Sequence, residues 1–332
     1  MNQPIFHSVS LADSRFLVTG GAGFIGSNLV EYLLSHNVGH VRVLDNLSNG
    51  YFENIKPFLD LPNFEFIEGD IRDIETCRKA AADVHYISHQ AALGSVPRSI
   101  QDPITTNEVN IDGFLNMLVA AKESTTLKRF VYAASSSTYG DSPLLPKVEG
   151  NEGKPLSPYA ITKAVNEQYG DVFSKVYGFH TIGLRYFNIF GPRQSPDNPY
   201  AAVIPIFAKA FIEGKPPTIN GDGITSRDFT YVENAVQANI KAMLSAEVSA
   251  HKVYNVACGE QTSLNDMVAM LGEISGIKMS ANYGPERAGD VKHSKASIDK
   301  IKTELGYQPN VFFREGLEKV YAWYQSYFAH GS

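Results

Sequence analysis

Tyr159 and Lys163 stand four residues apart where apolar positions recur every three or four places, so a predicted helix presents both on one face. A phenol ionises near pH 10, too high for a base at neutral pH, but an adjacent ammonium favours the phenolate. An oxidised nicotinamide, itself cationic, would add to the effect. The pair alone is weak evidence: of 17 tyrosines only Tyr159 has a Lys at that spacing, and composition predicts about one such pair by chance. It gains weight from Ser135-Ser136-Ser137-Thr138-Tyr139-Gly140, which follows a β-rich run and begins 24 residues upstream of Tyr159. A hydroxyl at the carboxyl end of a strand can donate to the alcohol oxygen that the phenolate deprotonates, and Ser135 lies nearest the strand. Serine, tyrosine and lysine in this order suit proton abstraction from an alcohol coupled to hydride transfer.

A second constellation points to a dinucleotide. Thr19-Gly20-Gly21-Ala22-Gly23-Phe24-Ile25-Gly26 follows a predicted strand and opens an apolar helical pattern. Glycines at 20, 23 and 26 permit a tight turn, close approach to a pyrophosphate and close helix packing, with the helix N-terminus facing the negative charge. Asp45 lies 19 residues beyond Gly26 at the end of the next predicted strand, where a carboxylate accepts hydrogen bonds from ribose hydroxyls. That carboxylate repels a 2′-phosphate and Asn46-Leu47-Ser48 offers no offsetting cation, which favours NAD over NADP.

These residues need a scaffold, and the chain supplies the pattern of one. Predicted strands at 16–19, 40–44, 64–68, 84–89, 130–134 and 181–186 alternate with helical patterns at 24–34, 111–121 and 159–176. This is an α/β reading: a Rossmann-type doubly wound parallel sheet over residues 12–187, followed by a smaller C-terminal α/β substrate lobe over 188–332. Part of 230–258 is expected to pack back on the first domain. Beyond Tyr186 the spacing turns irregular and Pro and Gly cluster, around helices at 202–213 and 232–244. No internal repeat or polar tether separates the halves, so the cleft between them is the expected ligand site.

Composition narrows the function classes. At 332 residues, 43% hydrophobic and 19% charged, the chain reads as a globular enzyme. A net charge of -6 supplies no positive field for nucleic acid or an anionic membrane. Cys77 and Cys258 are too few for a disulfide framework, and no stretch has the length of a membrane span or a signal peptide, so a cytoplasmic protein is expected. His85 and His89 have the spacing of helical metal ligands, but 84–89 alternates like a strand and no metal is expected. The aromatic run 321–328 reads as a helix packed on the second lobe.

In order, TGGAGFIG, Asp45, SSSTYG, Tyr159 with Lys163, and Leu184-Arg185-Tyr186-Phe187-Asn188 resemble the extended short-chain dehydrogenase/reductase family, over almost the whole chain from Ser14 onward. Within it, the runs from His89 to Ile100, from Ala133 to Gly140 and from Gly289 to Ser294 are similar to bacterial UDP-N-acetylglucosamine 4-epimerases of surface polysaccharide synthesis. The resemblance implies NAD held by Gly20, Gly23, Phe24, Ile25, Gly26, Asp45, Asn46, Gln90, Ala92, Tyr159, Lys163 and Tyr186. Asp70 and Ile71 would contact adenine, and Ala91 and Asn110 would line the cofactor path. It implies UDP contacts at Asn188, Arg227, Arg287 and Asp290, and the two guanidinium forks do suit a diphosphate. Ser95, Val96, Ser136, Ser137, Val203, Thr218 and Asn220 complete the implied nucleotide-sugar site. Ser294 matches a position where a large or small side chain gates the sugar pocket, and a serine there leaves room for an N-acetyl group. The stretch Ser294-Lys295-Ala296-Ser297 departs from the family by lacking an Asp.

The implied function is NAD-dependent C4 epimerisation of UDP-N-acetylhexosamines through a 4-keto intermediate, in a homodimer paired through two long helices. Alternatives are the corresponding N-acetylated uronate, or UDP-glucose and UDP-galactose. A dehydratase would need an acidic pair where Ser136 and Ser137 stand, and a decarboxylase ranks lower on the motifs. An inert NAD-sensing protein would have no use for Ser135, Tyr159 and Lys163 together.

Overall fold

The computed structural model describes residues 4–197, 201–246, 248–286 and 292–329. Six strands arise within a residue or two of the expected runs: β1 (Arg15–Thr19), β2 (His40–Asp45), β3 (Phe64–Glu68), β4 (Tyr86–His89), β5 (Arg129–Ser135) and β6 (Thr181–Tyr186). Along β1, Phe16 and Val18 face one side of the sheet and Leu17 the other, as the two-residue period of a strand requires. Residues of β5 divide likewise, Val131 to the first side and Phe130, Tyr132 and Ala134 to the second. Both faces are therefore apolar, and helices must cover both.

Helices α1 (Phe24–Ser35), α2 (Ile74–Ala81), α3 (Val96–Gln101), α4 (Pro103–Asn107), α5 (Gly113–Glu123) and α6 (Pro158–Tyr177) follow in chain order. A wider helical turn, Glu108–Asp112, precedes α5 and turns Asn110 inward, so the regular helix begins two residues later than the spacing predicts. The second half of the chain opens with β7 (Ile189–Phe190), α7 (Val203–Ile212), β8 (Thr218–Asn220), β9 (Ser226–Arg227), β10 (Thr230–Tyr231) and α8 (Val232–Leu244). It closes with β11 (Lys252–Val256), β12 (Thr262–Ser263), α9 (Leu264–Ser275), β13 (Asn282–Gly284), α10 (Asp299–Leu305) and α11 (Phe313–Ala329).

The main sheet is parallel and seven-stranded, in the order β3-β2-β1-β4-β5-β6-β11. Its seventh strand, β11, lies outside the six expected from the sequence, in the irregular second half. Residues of α8 join those of β1, β2, β5, β6 and β11 in one core, with α1 on the same side. On the other side, Cys77, Ala80, Phe114, Met117 and Phe173 bring α2, α5 and α6 onto the sheet. A separate aromatic core gathers Phe190, Phe207, Phe211, Phe229, Phe313 and Tyr324 from α7, α11 and the short strands. No helix of the described residues is long and apolar enough to cross a membrane.

Candidate active site

The sheet order reverses between β1 and β4, which opens a crevice beyond the carboxyl ends of the strands. A cavity of about 590 Å³ fills it, walled by the glycine loop, the ends of β2 to β6, the serine turn, the first turns of α6 and the segment after β7. Gly20, Gly23, Phe24, Ile25, Gly26, Asp45, Asn46, Asp70, Ile71, Gln90, Ala91, Ala92, Val96, Ser135, Ser136, Ser137, Tyr159, Lys163, Tyr186 and Asn188 all line it.

The glycine loop is too tight for side chains. Gly20 has φ +69°, and a Cβ on Gly26 would stand 2.2 Å from the Gly20 carbonyl oxygen. Gly23 caps α1 with no side-chain hydrogen bond, so the first-turn N–H groups have no side-chain acceptor and face the cavity as an anion site. Asp45 accepts from the amides of Ala22 and Leu47, both at 2.9 Å, which fixes the carboxylate at the end of β2. Its burial raises its pKa. Asp70 is held down at about 2, chiefly by its hydrogen bonds with Arg72, and accepts from Asn46 at 2.9 Å. A phosphate-facing helix start and a carboxylate for a ribose fit NAD.

Helix α6, which carries Tyr159 and Lys163, is fixed at its first turn. Ser157 caps α6 by accepting from Ala160, Pro158 occupies the first turn, and the buried Ser99 of α3 accepts from the Tyr159 amide at 3.1 Å. Lys163 donates to the Ala133 carbonyl of β5 at 2.7 Å, tying α6 to the strand that carries the serines. Burial lowers its pKa to about 8, against an upward pull from Glu167. Glu167 in turn grips the buried Arg185 of β6, as does Glu152.

The phenol behaves otherwise than the spacing predicts. Loss of water raises the Tyr159 pKa, and the group that lowers it is a hydrogen bond with Ser135, not Lys163. The Lys163 ammonium sits 6.0 Å from the phenol ring centroid with its nearest acceptor on the backbone. Ser137 donates to the Ser135 oxygen through both its amide, at 3.1 Å, and its hydroxyl, at 2.9 Å. Ser135 thus has its acceptor capacity filled by Ser137, which leaves its own proton available to the phenol.

Other sequence-predicted residues lie apart from the wall. Asn110 is buried behind it, bridging the Leu93 backbone and the Thr162 hydroxyl, so it shapes the cavity from below. Ser95 spends its hydroxyl capping α3. Val203 opens α7, Thr218 and Asn220 belong to β8, and Arg227 on β9 donates to the carbonyls of Ser226 and Lys292. Ser294 is half-buried with its amide on Ser226. Arg287 and Asp290 lie outside the described residues. His89 is a core residue against Phe114 and Phe130, bonded to Thr19, with its pKa lowered to about 3 by burial.

Two features escape the sequence. Gln90 and Tyr186 belong to a closed polar network with Ser88 and Asn239: Tyr186 donates to Gln90 and accepts from Asn239, whose oxygen takes Ser88 and Gln90. Arg193, Gln194 and Ser195 complete the wall. No periodicity marks either; the Gly191-Pro192 turn is the one local hint that the chain doubles back there.

A model of the NAD dependent epimerase/dehydratase family matches residues 16–257. The chain belongs to that family. A putative UDP-glucose 4-epimerase of Methanocaldococcus jannaschii is 35% identical over 309 residues, 92% of this chain and 97% of that protein. Among solved structures, a UDP-N-acetylglucosamine 4-epimerase from Methanobrevibacter ruminantium, in complex with UDP-N-acetylmuramic acid, aligns with TM-score 0.89 and 38% identity, covering 95% and 99% of the two chains. A Bacillus cereus UDP-glucuronic acid 4-epimerase with UDP-glucuronic acid and NAD aligns with TM-score 0.86 and 33% identity, over 94% and 100%. For this epimerase, the Rossmann fold and NAD dependence follow from family and structure together.

Proposed function

We propose that this UDP-sugar 4-epimerase interconverts UDP-N-acetylglucosamine and UDP-N-acetylgalactosamine. The observation that carries the chemistry is the meeting of Ser135, Tyr159 and Lys163 on the wall of one cavity, with Ser137 donating to Ser135. Tyr159 takes the proton of the C4 hydroxyl onto its phenol oxygen. Ser135 turns its hydrogen bond from the phenol to the sugar O4 as the ketone forms, and Ser137 holds Ser135 in place throughout. Bound NAD supplies the acceptor for the C4 hydride and a positive ring that offsets the desolvation of the phenolate. After the 4-ketose turns about its diphosphate linkage, the hydride would return from the cofactor to the opposite face of C4 while Tyr159 gives its proton back to O4.

Asn188, Arg227, Arg287 and Asp290 are the proposed UDP contacts, and Ser294 the gate that admits the N-acetyl group. The similarity to the Methanobrevibacter enzyme supports the N-acetyl reading. Among the described residues, the acids in the wall, Asp45 and Asp70, stand at the ends of β2 and β3, away from the serine turn on β5 where a dehydratase would need its acidic pair. An apolar stripe on α6, with Ile161, Val172 and Val176 each about half exposed or more, supports a homodimer in which α6 is one of the paired long helices.

The test is incubation with UDP-N-acetylglucosamine, UDP-glucose and UDP-glucuronic acid in parallel, reading C4 configuration by NMR. The reading expects fastest inversion of the N-acetylated sugar and none by Tyr159→Phe. Preference for either other sugar would overturn the substrate, and turnover by Tyr159→Phe would overturn the base.

A further inference from the structure

We infer that Tyr51 and Ser195 form a clasp across the cofactor bed that holds NAD between turnovers. The inference rests on the reading of this cavity as the NAD site. Tyr51 follows the Asn49-Gly50 turn beyond Asp45, Ser195 follows the Gly191-Pro192 turn beyond β7, and both line the same cavity. Their hydroxyls meet at 3.1 Å across 144 positions of sequence, with Tyr51 donating.

Each half of the clasp is anchored. On one side the Tyr51 amide donates to the Ala22 carbonyl of the glycine loop at 3.0 Å, Asn54 donates to the same oxygen, and the Ala22 amide is held by Asp45. Tyr51 therefore hangs from the loop that would receive the diphosphate. On the other side Asn28 of α1 donates to Pro192, Arg193 pairs with Glu31 of α1 at 2.7 Å, and Tyr324 of α11 donates to Gln194. Arg193 adopts φ +70°, a left-handed conformation that a non-glycine residue keeps only when its surroundings fix it. Two staked segments meet at the cavity, and among the described residues what joins them is one exposed, neutral hydrogen bond.

That bond is weak enough to open and well placed to slow escape. Epimerisation regenerates NAD in each cycle, so no step needs the dinucleotide to leave. A contact that must break before the diphosphate half can lift from the glycine loop lengthens its residence without touching the reacting carbon.

The experiment measures exchange of bound NAD for radiolabelled NAD in the purified holoenzyme, in wild type, Tyr51→Phe, Ser195→Ala and the double variant. Loss of one such bond, about 0.5–1.5 kcal/mol, is expected to speed release about 2- to 12-fold in each single variant, with no further gain in the double. Release unchanged in both single variants, or additive effects in the double, would overturn the clasp. Calorimetric titration with UDP separates the two nucleoside diphosphates: a loss of UDP affinity with unchanged NAD exchange would place the substrate there and also overturn it. A wild-type protein purified without NAD would instead sink the reading of the cavity itself.

Discussion

Replacing Gly26 by alanine sets two opposed effects against each other. Inside a helix, alanine is favoured over glycine by about 1 kcal/mol, so α1 taken alone gains. The new Cβ, however, would lie 2.2 Å from the Gly20 oxygen and 2.8 Å from the Gly20 carbonyl carbon and the Gly21 Cα. Relief to ordinary contact needs a shift of about 1 Å between α1 and the loop, and overpacking of this kind costs about 1–3 kcal/mol. Net stability should fall by no more than about 2 kcal/mol. The loop proposed to cradle the diphosphate takes the displacement, so NAD affinity is expected to drop about 10- to 100-fold. Gly94 is the control: it lines the same cavity and a Cβ there meets nothing within 4 Å. The assay is NAD per chain after gel filtration, with calorimetric titration of protein stripped of its dinucleotide. Wild-type NAD retention by Gly26→Ala, or an equal loss by Gly94→Ala, would refute the argument from close approach.

Ser294→Tyr is expected to suppress epimerisation of UDP-N-acetylglucosamine about ten- to hundredfold, the rate equivalent of overpacking, while sparing UDP-glucose. Equal losses on both sugars, or none, would remove Ser294 as the gate. His89 stays neutral in the fold down to about pH 3, against an ordinary value of 6.5. The unfolded chain thus binds a proton that the folded one refuses, and this contribution to stability, complete above pH 6.5, is lost as pH falls. Between pH 6.5 and 5 wild type should lose about 2 kcal/mol more stability than His89→Phe, in which the other histidines with lowered pKa still titrate, as urea unfolding at the two pH values would show; parallel pH slopes would contradict it.

The parallel sheet was legible because β1, β2, β4, β5 and β6 are buried on both faces, with only the edge strand β3 partly exposed, and turn residues bound them, leaving short apolar runs that differ from the helical pattern between them. The glycine loop was legible in part for a related reason: the approach of Gly26 to Gly20 is local, set by backbone atoms six residues apart, whereas the approach of Gly20 to the Ala91 backbone is not. β11 was not, since Lys252-Val253-Tyr254-Asn255-Val256 carries a lysine and an asparagine whose places in the sheet are justified only by distant partners. Asn255, for one, bonds Tyr139, Lys147 and Ser297. The Gln90–Tyr186–Asn239 network and the Arg193–Ser195 wall were hidden likewise, being made by residues some 50 to 150 positions apart. Spacing placed Tyr159 and Lys163 on one face correctly, yet it overstated their coupling. It could not show that the lysine spends a proton on Ala133 or that burial works against the phenolate.

The most direct test of the account follows the hydrogen at C4. With UDP-N-acetylglucosamine deuterated at that carbon and incubated in ordinary water, the account predicts UDP-N-acetylgalactosamine that keeps its deuterium at C4. The hydride leaves and returns within one closed site, while only the O4 proton passes through Tyr159. Product bearing solvent hydrogen at C4, or inversion at any other carbon, would contradict it.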